Sequence, residues 1–260
     1  MQKLSAYILC YNSEKYISQI LEKLQIVADE ILIIDSGSSD QTKEIARSFD
    51  KVKFVQKPFT DFKSQRNFAA ECCKFDYVLF LDSDELPDDH FILGLQQLKS
   101  KGFREDAYEA ERHWNVLGKG VHVFYPIVSP DYPIRLYNKN IVNFDNSSLV
   151  HETPGGYKTK GRLQGKIAHI TFENKAVLER KLQFYTDIAA EDLIRKNKKL
   201  SPFKAYASAF SAFIKWYILK KGFLDAYTGI QLGCYAYRYS LLKYKKALRL
   251  KNKRDQSTSS

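Results

Sequence analysis

Four short, densely apolar runs fall in the first third of the chain, each followed by a polar, turn-rich stretch. They are LSAYILCY (4–11), EILIIDSG (30–37), KVKFVQKP (51–58) and YVLFLDSDE (77–85). Runs of this length, apolar on both faces, predict buried strands, and KVKFVQKP, with lysines among its apolar residues, predicts a further strand. Between the first two lies SEKYISQILEKLQIVAD (13–29), with Ile17, Ile20, Leu21 and Leu24 at i, i+3, i+4 and i+7, which is helical spacing. SSDQTKEIARSF (38–49) opens on Ser/Asp capping residues and predicts a helix, as does FKSQRNFAAECCK (62–74). Strands alternating with short helices predict an α/β domain, a mostly parallel Rossmann-like sheet flanked by helices. Ligands of such sheets bind beyond the carboxyl ends of the strands, and there the chain places Asn12, Asp35, Asp82 and Asp84.

The pattern then changes. Residues 103–172 carry short strand-like pieces, several Gly and Pro, and the cluster Arg112, His113 and Trp114, which reads equally as surface or as a sugar-stacking platform. From about residue 176 the spacing is helical. Phe203, Tyr206, Phe210, Phe213 and Tyr217 form one aromatic stripe; Tyr227, Ile230, Cys234, Tyr237, Leu241 and Tyr244 form another. The polar end KNKRDQSTSS (251–260) predicts disorder. The expected organisation is an α/β domain over 1–175, with two halves at 1–100 and 101–175. A helical, membrane-associating extension (176–250) and the tail (251–260) follow.

Charge sharpens this division. The net charge is +11, yet residues 194–254 hold 16 lysines and arginines against one acid, Asp225. Such a basic segment predicts contact with an anionic surface, either nucleic acid or phospholipid. Basic residues interleaved with aromatic ones favour helices lying in the plane of an anionic membrane. No apolar run reaches the length of about 18 residues that a spanning helix needs, and the N-terminal segment lacks the pattern of a signal peptide. Both features predict a cytoplasmic protein, peripheral on the inner face of the cytoplasmic membrane. Cys10, Cys72, Cys73 and Cys234 show no zinc spacing and are expected to be reduced, buried thiols.

The chemistry concentrates at DSD (82–84). In extended backbone, residues i and i+2 face the same side, so Asp82 and Asp84 can reach one hard cation. Mg²⁺ or Mn²⁺ bound in this way also holds substrate phosphates and neutralises a diphosphate leaving group.

YNSEKYI, ADEILIIDSGSSDQT, QRNFA and YVLFLDSDE, in that order, resemble glycosyltransferase family 2, whose fold is GT-A. RLY (135–137), VHE (150–152), AHIT (168–171) and GFLDAYTG (222–229) are similar to a narrower group, the lipopolysaccharide inner-core β-glucosyltransferases. The resemblance spans roughly residues 3–245, implies that 1–175 is the catalytic domain with a nucleotide-sugar half (1–100) and an acceptor half (101–175), and implies roles residue by residue. Asp35 would accept the uracil imide N–H of a UDP-sugar. Tyr11 and Asn12 would carry the nucleotide-binding loop. Glu14 would follow, although YNSE is one residue longer than the family pattern. Lys63, Gln65 and Arg66 would lie beside the nucleotide and its phosphates, and Arg135, in RLY, would join them. Asp82 would meet ribose or metal, Asp84 the metal, and His169 would be a third ligand or a diphosphate contact. Each also has a plainer reading: Asp35 as a helix cap, Lys63 and Arg66 as a solvated face, His169 as a packed histidine.

The implied activity is inverting, metal-dependent transfer of a hexose, glucose from UDP-glucose, to a lipid-linked acceptor such as the lipopolysaccharide inner core. An inverting transferase needs a base for the acceptor hydroxyl. Glu152, before a Pro-Gly-Gly loop, is the expected base, with His151 orienting the acceptor or contacting the diphosphate. Asp131, then Glu105-Asp106, and a purely structural HE pair are alternatives; the other ED pair, Glu191-Asp192, falls in the helical region. Two other functions compete. A nucleotidyltransferase would need a glycine-rich phosphate loop near its start, yet no glycine precedes Gly37. A basic nucleic-acid-binding protein would have strand-end acids repelling phosphates, and no recognised nucleic-acid module is present. Nucleic acid is therefore not an expected partner.

Overall fold

A computed structural model describes residues 2–145 and 153–257. In chain order the elements are β1 (Leu4–Cys10), α1 (Glu14–Val27), β2 (Glu30–Asp35), α2 (Thr42–Arg47), β3 (Val52–Gln56), α3 (Phe62–Cys72), β4 (Tyr77–Asp82) and β5 (Glu85–Pro87). They continue with α4 (Asp89–Lys101), β6 (Ala107–Val116), β7 (Lys119–Gly120), β8 (Val123–Phe124), β9 (Ile127–Val128), β10 (Ile134–Asn138) and β11 (Lys160–Phe172). Three long helices close the chain: α5 (Lys175–Arg195), α6 (Pro202–Phe213) and α7 (Ala226–Ser257). The chain forms two compact units, Met1–His113 with Asp131–His169, and Trp114–Pro130 with Ile170–Ser260.

The first unit is built on a sheet ordered β3-β2-β1-β4-β10-β6-β11-β5. β3, β2, β1 and β4 run parallel; β10 is antiparallel to both β4 and β6, and β11 to β5. Strand alternation divides the core into two faces. Leu4, Ala6 and Ile8 of β1 pack with Ile17, Ile20, Leu21 and Leu24 of α1 and with Phe91 and Leu95 of α4. Tyr7, Leu32, Val78 and Phe80 point the other way, against Ala69 and Ala70 of α3 and Phe144. Both helices that flank the site are capped by aspartate: Asp61 accepts from the Ser64 N–H at the start of α3, and Asp88 from the Phe91 N–H at the start of α4. Gly165 has φ +79°, and a Cβ there would lie 2.1 Å from the Phe91 nitrogen, so β11 can cross the start of α4 only as glycine.

The second unit holds the two-stranded β8–β9 hairpin, the end of β6 paired with β7, and helices α5, α6 and α7. Its core joins Trp114, Phe124, Phe172, Leu182, Leu232 and Tyr235. Residues 114–130, assigned from sequence to the acceptor half, thus belong with the helices, and residues 251–257, expected to be disordered, continue α7. Half of the expected aromatic surface turns inward. Tyr244 is buried, and Phe213 and Tyr217 pack against Gly233, whereas Phe203 and Tyr227 are 83% and 71% exposed. The four cysteines are free, but only Cys10 and Cys73 are buried; Cys72 is half-buried and Cys234 exposed.

Candidate active site

β1, β2 and β4 end side by side, and their loops meet. Leu9 and Cys10 of β1 lie in register with Asp82 and Asp35. Tyr11 is largely exposed at this edge. Asn12, held at φ +49°, accepts from the Ser39 N–H through its side chain, and Glu14 accepts from the Gln41 N–H at 2.9 Å. Glu14 and Asn12 therefore tie the β1–α1 loop to the β2–α2 loop. Asp35 is buried and accepts from the Gly37 N–H, the Ser38 N–H and the Ser38 hydroxyl. A carboxylate has about four lone-pair sites, so the turn leaves Asp35 one more bond to accept.

Ser13 is the extra residue of YNSE, and it is buried at the junction. Its hydroxyl donates to Ser83 at 2.9 Å and accepts from the Tyr11 N–H, while its own N–H donates to Thr42. Ser83 is the middle residue of DSD. One small residue thus links the first strand end to the acidic turn through its hydroxyl and to α2 through its backbone N–H.

Beneath that turn lies a paired charge cluster. Glu85 is fully buried, with its side chain between two arginines. Arg135 donates Nε to Oε2 at 2.8 Å and Nη2 to Oε1 at 2.5 Å; Arg112 donates Nη1 to Oε1 at 2.8 Å. Arg112 also forks onto Asp131, Nε to Oδ1 at 2.9 Å and Nη2 to Oδ2 at 2.6 Å. Asp82 accepts from Arg66 at 2.8 Å and from Arg135 at 3.4 Å. Both guanidinium groups lie over the Phe80 ring, at 4.7 and 4.6 Å. Burial opposes charge on Asp82 and Glu85, yet the arginines outweigh it and hold both carboxyls below their ordinary range. Asp84 instead meets His169, Nε2 to Oδ1 at 3.2 Å. Burial of His169 works against its charged form, but the Asp84 carboxylate prevails and raises its pKa.

The predicted residues separate accordingly. Tyr11, Asn12, Glu14, Asp35, Arg66, Asp82, Asp84, Arg135 and His169 gather at or beneath one edge of the sheet. Arg66 is buried, not part of a solvated helix face. Gln65 is also buried, donating to Ser36 and the Lys57 carbonyl, and Lys63 donates to the Asp145 carbonyl at 2.6 Å. The expected metal trio does not assemble: Asp82 faces arginines, and among the described residues no group of three His, Cys, Asp or Glu side chains is placed to hold an ion. Asp84 is the carboxylate placed to hold Mg²⁺ or Mn²⁺, since such ions take one or two carboxylates and complete their shell with substrate phosphates, and His169 lies beside it. Glu152 and His151 lie outside the described residues. Two alternatives to Glu152 are otherwise occupied: Asp131 by Arg112, and Asp106 by the N–H groups of Lys158 and Thr159. Sequence reasoning missed Glu85, Arg112 and Ser13 as parts of the site. The only signal for Glu85 was an acid one residue beyond DSD, with no turn residue to expose it.

Residues 5–107 match the family model for glycosyl transferase family 2. The chain carries a family 2 domain, and it is a glycosyltransferase. The match covers β1 through the start of β6, which includes every strand end described above. This glycosyltransferase is 26% identical over 238 residues to an uncharacterized glycosyltransferase of Rickettsia typhi, covering 88% of this chain and 81% of the relative. It is 26% identical over 243 residues to the lipopolysaccharide core biosynthesis glycosyltransferase LpsC of Rhizobium meliloti, covering 87% of each. Its fold is GT-A, shared with the crystal structure of Staphylococcus aureus TarS 1–349 in complex with UDP-GlcNAc. That likeness has a TM-score of 0.50 at 18% identity and covers 96% of this chain and 92% of TarS. The nucleotidyltransferase and the non-enzymatic nucleic-acid-binding readings give way to this assignment.

Proposed function

We propose that the enzyme transfers a hexose, glucose from UDP-glucose, with inversion to a lipid-linked saccharide such as the lipopolysaccharide inner core. The observation that carries this reading is the single edge where Tyr11, Asn12, Asp35 and the DSD turn meet, joined by the Ser13–Ser83 bond. Similarity to LpsC along most of both chains favours a lipopolysaccharide acceptor.

In this reading uracil takes the remaining acceptor site of Asp35 and lies against Tyr11. Arg66 and Arg135 sit near the diphosphate and keep Asp82 ionised. Asp84 and His169 would hold Mg²⁺ or Mn²⁺, which supplies charge neutralisation to the leaving UDP. The acceptor oxygen forms its bond to the anomeric carbon as the bond to the diphosphate breaks, and Glu152 takes the hydroxyl proton. His151 orients the acceptor. The enzyme works peripherally at the inner face of the cytoplasmic membrane: among the described residues no helix is long and apolar enough to cross a bilayer, and the helical part of the chain is strongly basic.

The test is UDP or GDP release from a panel of nucleotide sugars, with rough-lipopolysaccharide acceptors, with Mn²⁺ or with chelator. Acceptor-dependent release from UDP-glucose that stops in chelator is expected. Turnover unaffected by chelator would remove the metal, and no release from any nucleotide sugar would remove the whole reading.

A further inference from the structure

The GFLDAYTG segment, with the turn that precedes it, belongs to the second unit and takes no part in the site described above. A π-helical turn, Ile214–Leu219, ends α6, and a 3₁₀ turn, Gly222–Asp225, leads into α7. At this tip Ile218, Leu219, Phe223, Leu224 and Tyr227 are between 47% and 71% exposed. Exposed lysines, Lys215, Lys220 and Lys221, lie among them.

The tip is fixed rather than loose. Asp225, the one acid of the basic segment, turns inward. Its side chain is 3% exposed and accepts from the backbone N–H of His122 at 3.0 and 2.9 Å and from His122 Nδ1 at 2.6 Å. A Cβ on Gly229 would lie 1.9 Å from the Gly222 carbonyl oxygen, so the start of α7 presses backbone on backbone against the turn. The glycines and the aspartate of the motif hold the tip's shape, and its remaining large side chains face outward. A fold that spends its only local acid on holding an apolar tip outward presents that tip to something.

We infer that this tip is the membrane-inserting element of the enzyme: Phe223, Leu224, Tyr227 and Leu219 enter the interface of an anionic bilayer, and Lys215, Lys220 and Lys221 meet the headgroups. The inference deepens the peripheral-membrane part of the proposed function and rests on it. Charge selects the occupant. Protein interface cores are depleted of lysine, whereas aromatic and aliphatic side chains mixed with lysine suit the headgroup boundary. Each lysine near an anionic surface contributes about 1 kcal/mol. The claim also differs from attraction by the basic α7 alone, since it requires apolar contact that survives salt.

The test uses the full chain and phosphatidylcholine vesicles with and without phosphatidylglycerol. The double variant Phe223→Ser with Leu224→Ser should lose about tenfold or more in vesicle binding. The loss should persist at high salt, with thermal unfolding unchanged. Phe184→Ser, at an exposed site on α5, should bind as wild type. Phe223→Trp, which keeps an aromatic side chain, should be quenched by brominated lipid above the background of Trp114 and Trp216. If wild type binds anionic vesicles and the double variant binds equally well, the tip is not the inserting element, although the membrane reading stands. Vesicle binding with Phe223→Trp unquenched overturns the inference as well and points to a protein partner. If wild type binds no vesicle, the inference and the membrane reading fail together.

Discussion

The acidic edge of the first unit and the tip of the second invert the usual placement of charge. At the edge, Glu85 is fully buried and Asp82 partly so, and each carboxylate oxygen is matched to a guanidinium. At the tip, apolar side chains face outward with lysines between them, and the one acid is buried and consumed by backbone N–H groups. Burying a charge is costly unless it is paired, and exposing apolar area forgoes the main stabilising term of folding. Neither arrangement is explained by stability. The first sets fixed charges under a ligand edge, and the second leaves apolar area available for a surface outside the protein.

This contrast is broken most severely at Glu85. Glu85→Ala removes the main carboxylate partner of Arg135 and one carboxylate partner of Arg112. Removing one member of a buried ion pair costs about 3–5 kcal/mol, so thermal or denaturant unfolding should show a large loss. Phe223→Ser at the tip should leave the same unfolding curve in place. Acid provides a second reading of the cluster. Glu85 and Asp82 both have lowered folded pKa values. Their stabilisation is therefore complete above the ordinary carboxylate values of about 4 and disappears as pH falls through the lower folded values. Stability measured from pH 6 downward should fall less steeply in Glu85→Gln than in wild type. Equal slopes would show that the pairing contributes nothing to the acid dependence.

A smaller effect, confined to activity, is expected at Asp84, which is partly exposed and pairs with His169. Asp84→Asn should fold normally yet lose transfer by about 10²-fold, the scale of losing a few kcal/mol of leaving-group stabilisation. Raising Mn²⁺ should restore part of the rate. Full activity of this variant in chelator would separate Asp84 from any metal. Glu152→Gln should lose a similar factor without altering the response to Mn²⁺, since it removes a base and not a ligand.

How much of this was legible in the sequence follows from what each residue does locally. The strands β1, β2 and β4 announced themselves because both of their faces are buried and their runs are almost wholly apolar, whereas β3, which is nowhere fully buried, was legible mainly from its place between two helices. Asp35 and Asp84 were singled out because an acid after such a run has no local explanation. Glu85 was passed over because its partners, Arg112 and Arg135, lie 27 and 50 residues away. Only the order β4-β10-β6-β11-β5 brings them together. The aromatic stripes of α6 and α7 were half misread for the same reason. Helical spacing shows that Tyr217 and Phe210 share a face, but α7 covers Tyr217 through Gly233 and leaves Phe210 63% exposed.

The smallest expected effect concerns Ser13, whose presence lengthens the YNE-like loop by one residue. If the Ser13–Ser83 bond only fills a gap, its two members should act independently. If it sets the spacing between the nucleotide loop and DSD, they should act together. A double-mutant cycle distinguishes the two. Ser13→Ala and Ser83→Ala should each raise KM for the donor severalfold while changing kcat little, because a neutral hydrogen bond contributes about 0.5–1.5 kcal/mol. The double variant should be barely worse than either single one, since the second substitution removes a partner already lost. The Tyr11 N–H also donates to the Ser13 hydroxyl, so Ser13→Ala should cost somewhat more than Ser83→Ala. Strictly additive KM changes would mean that the DSD turn holds its place without the first loop.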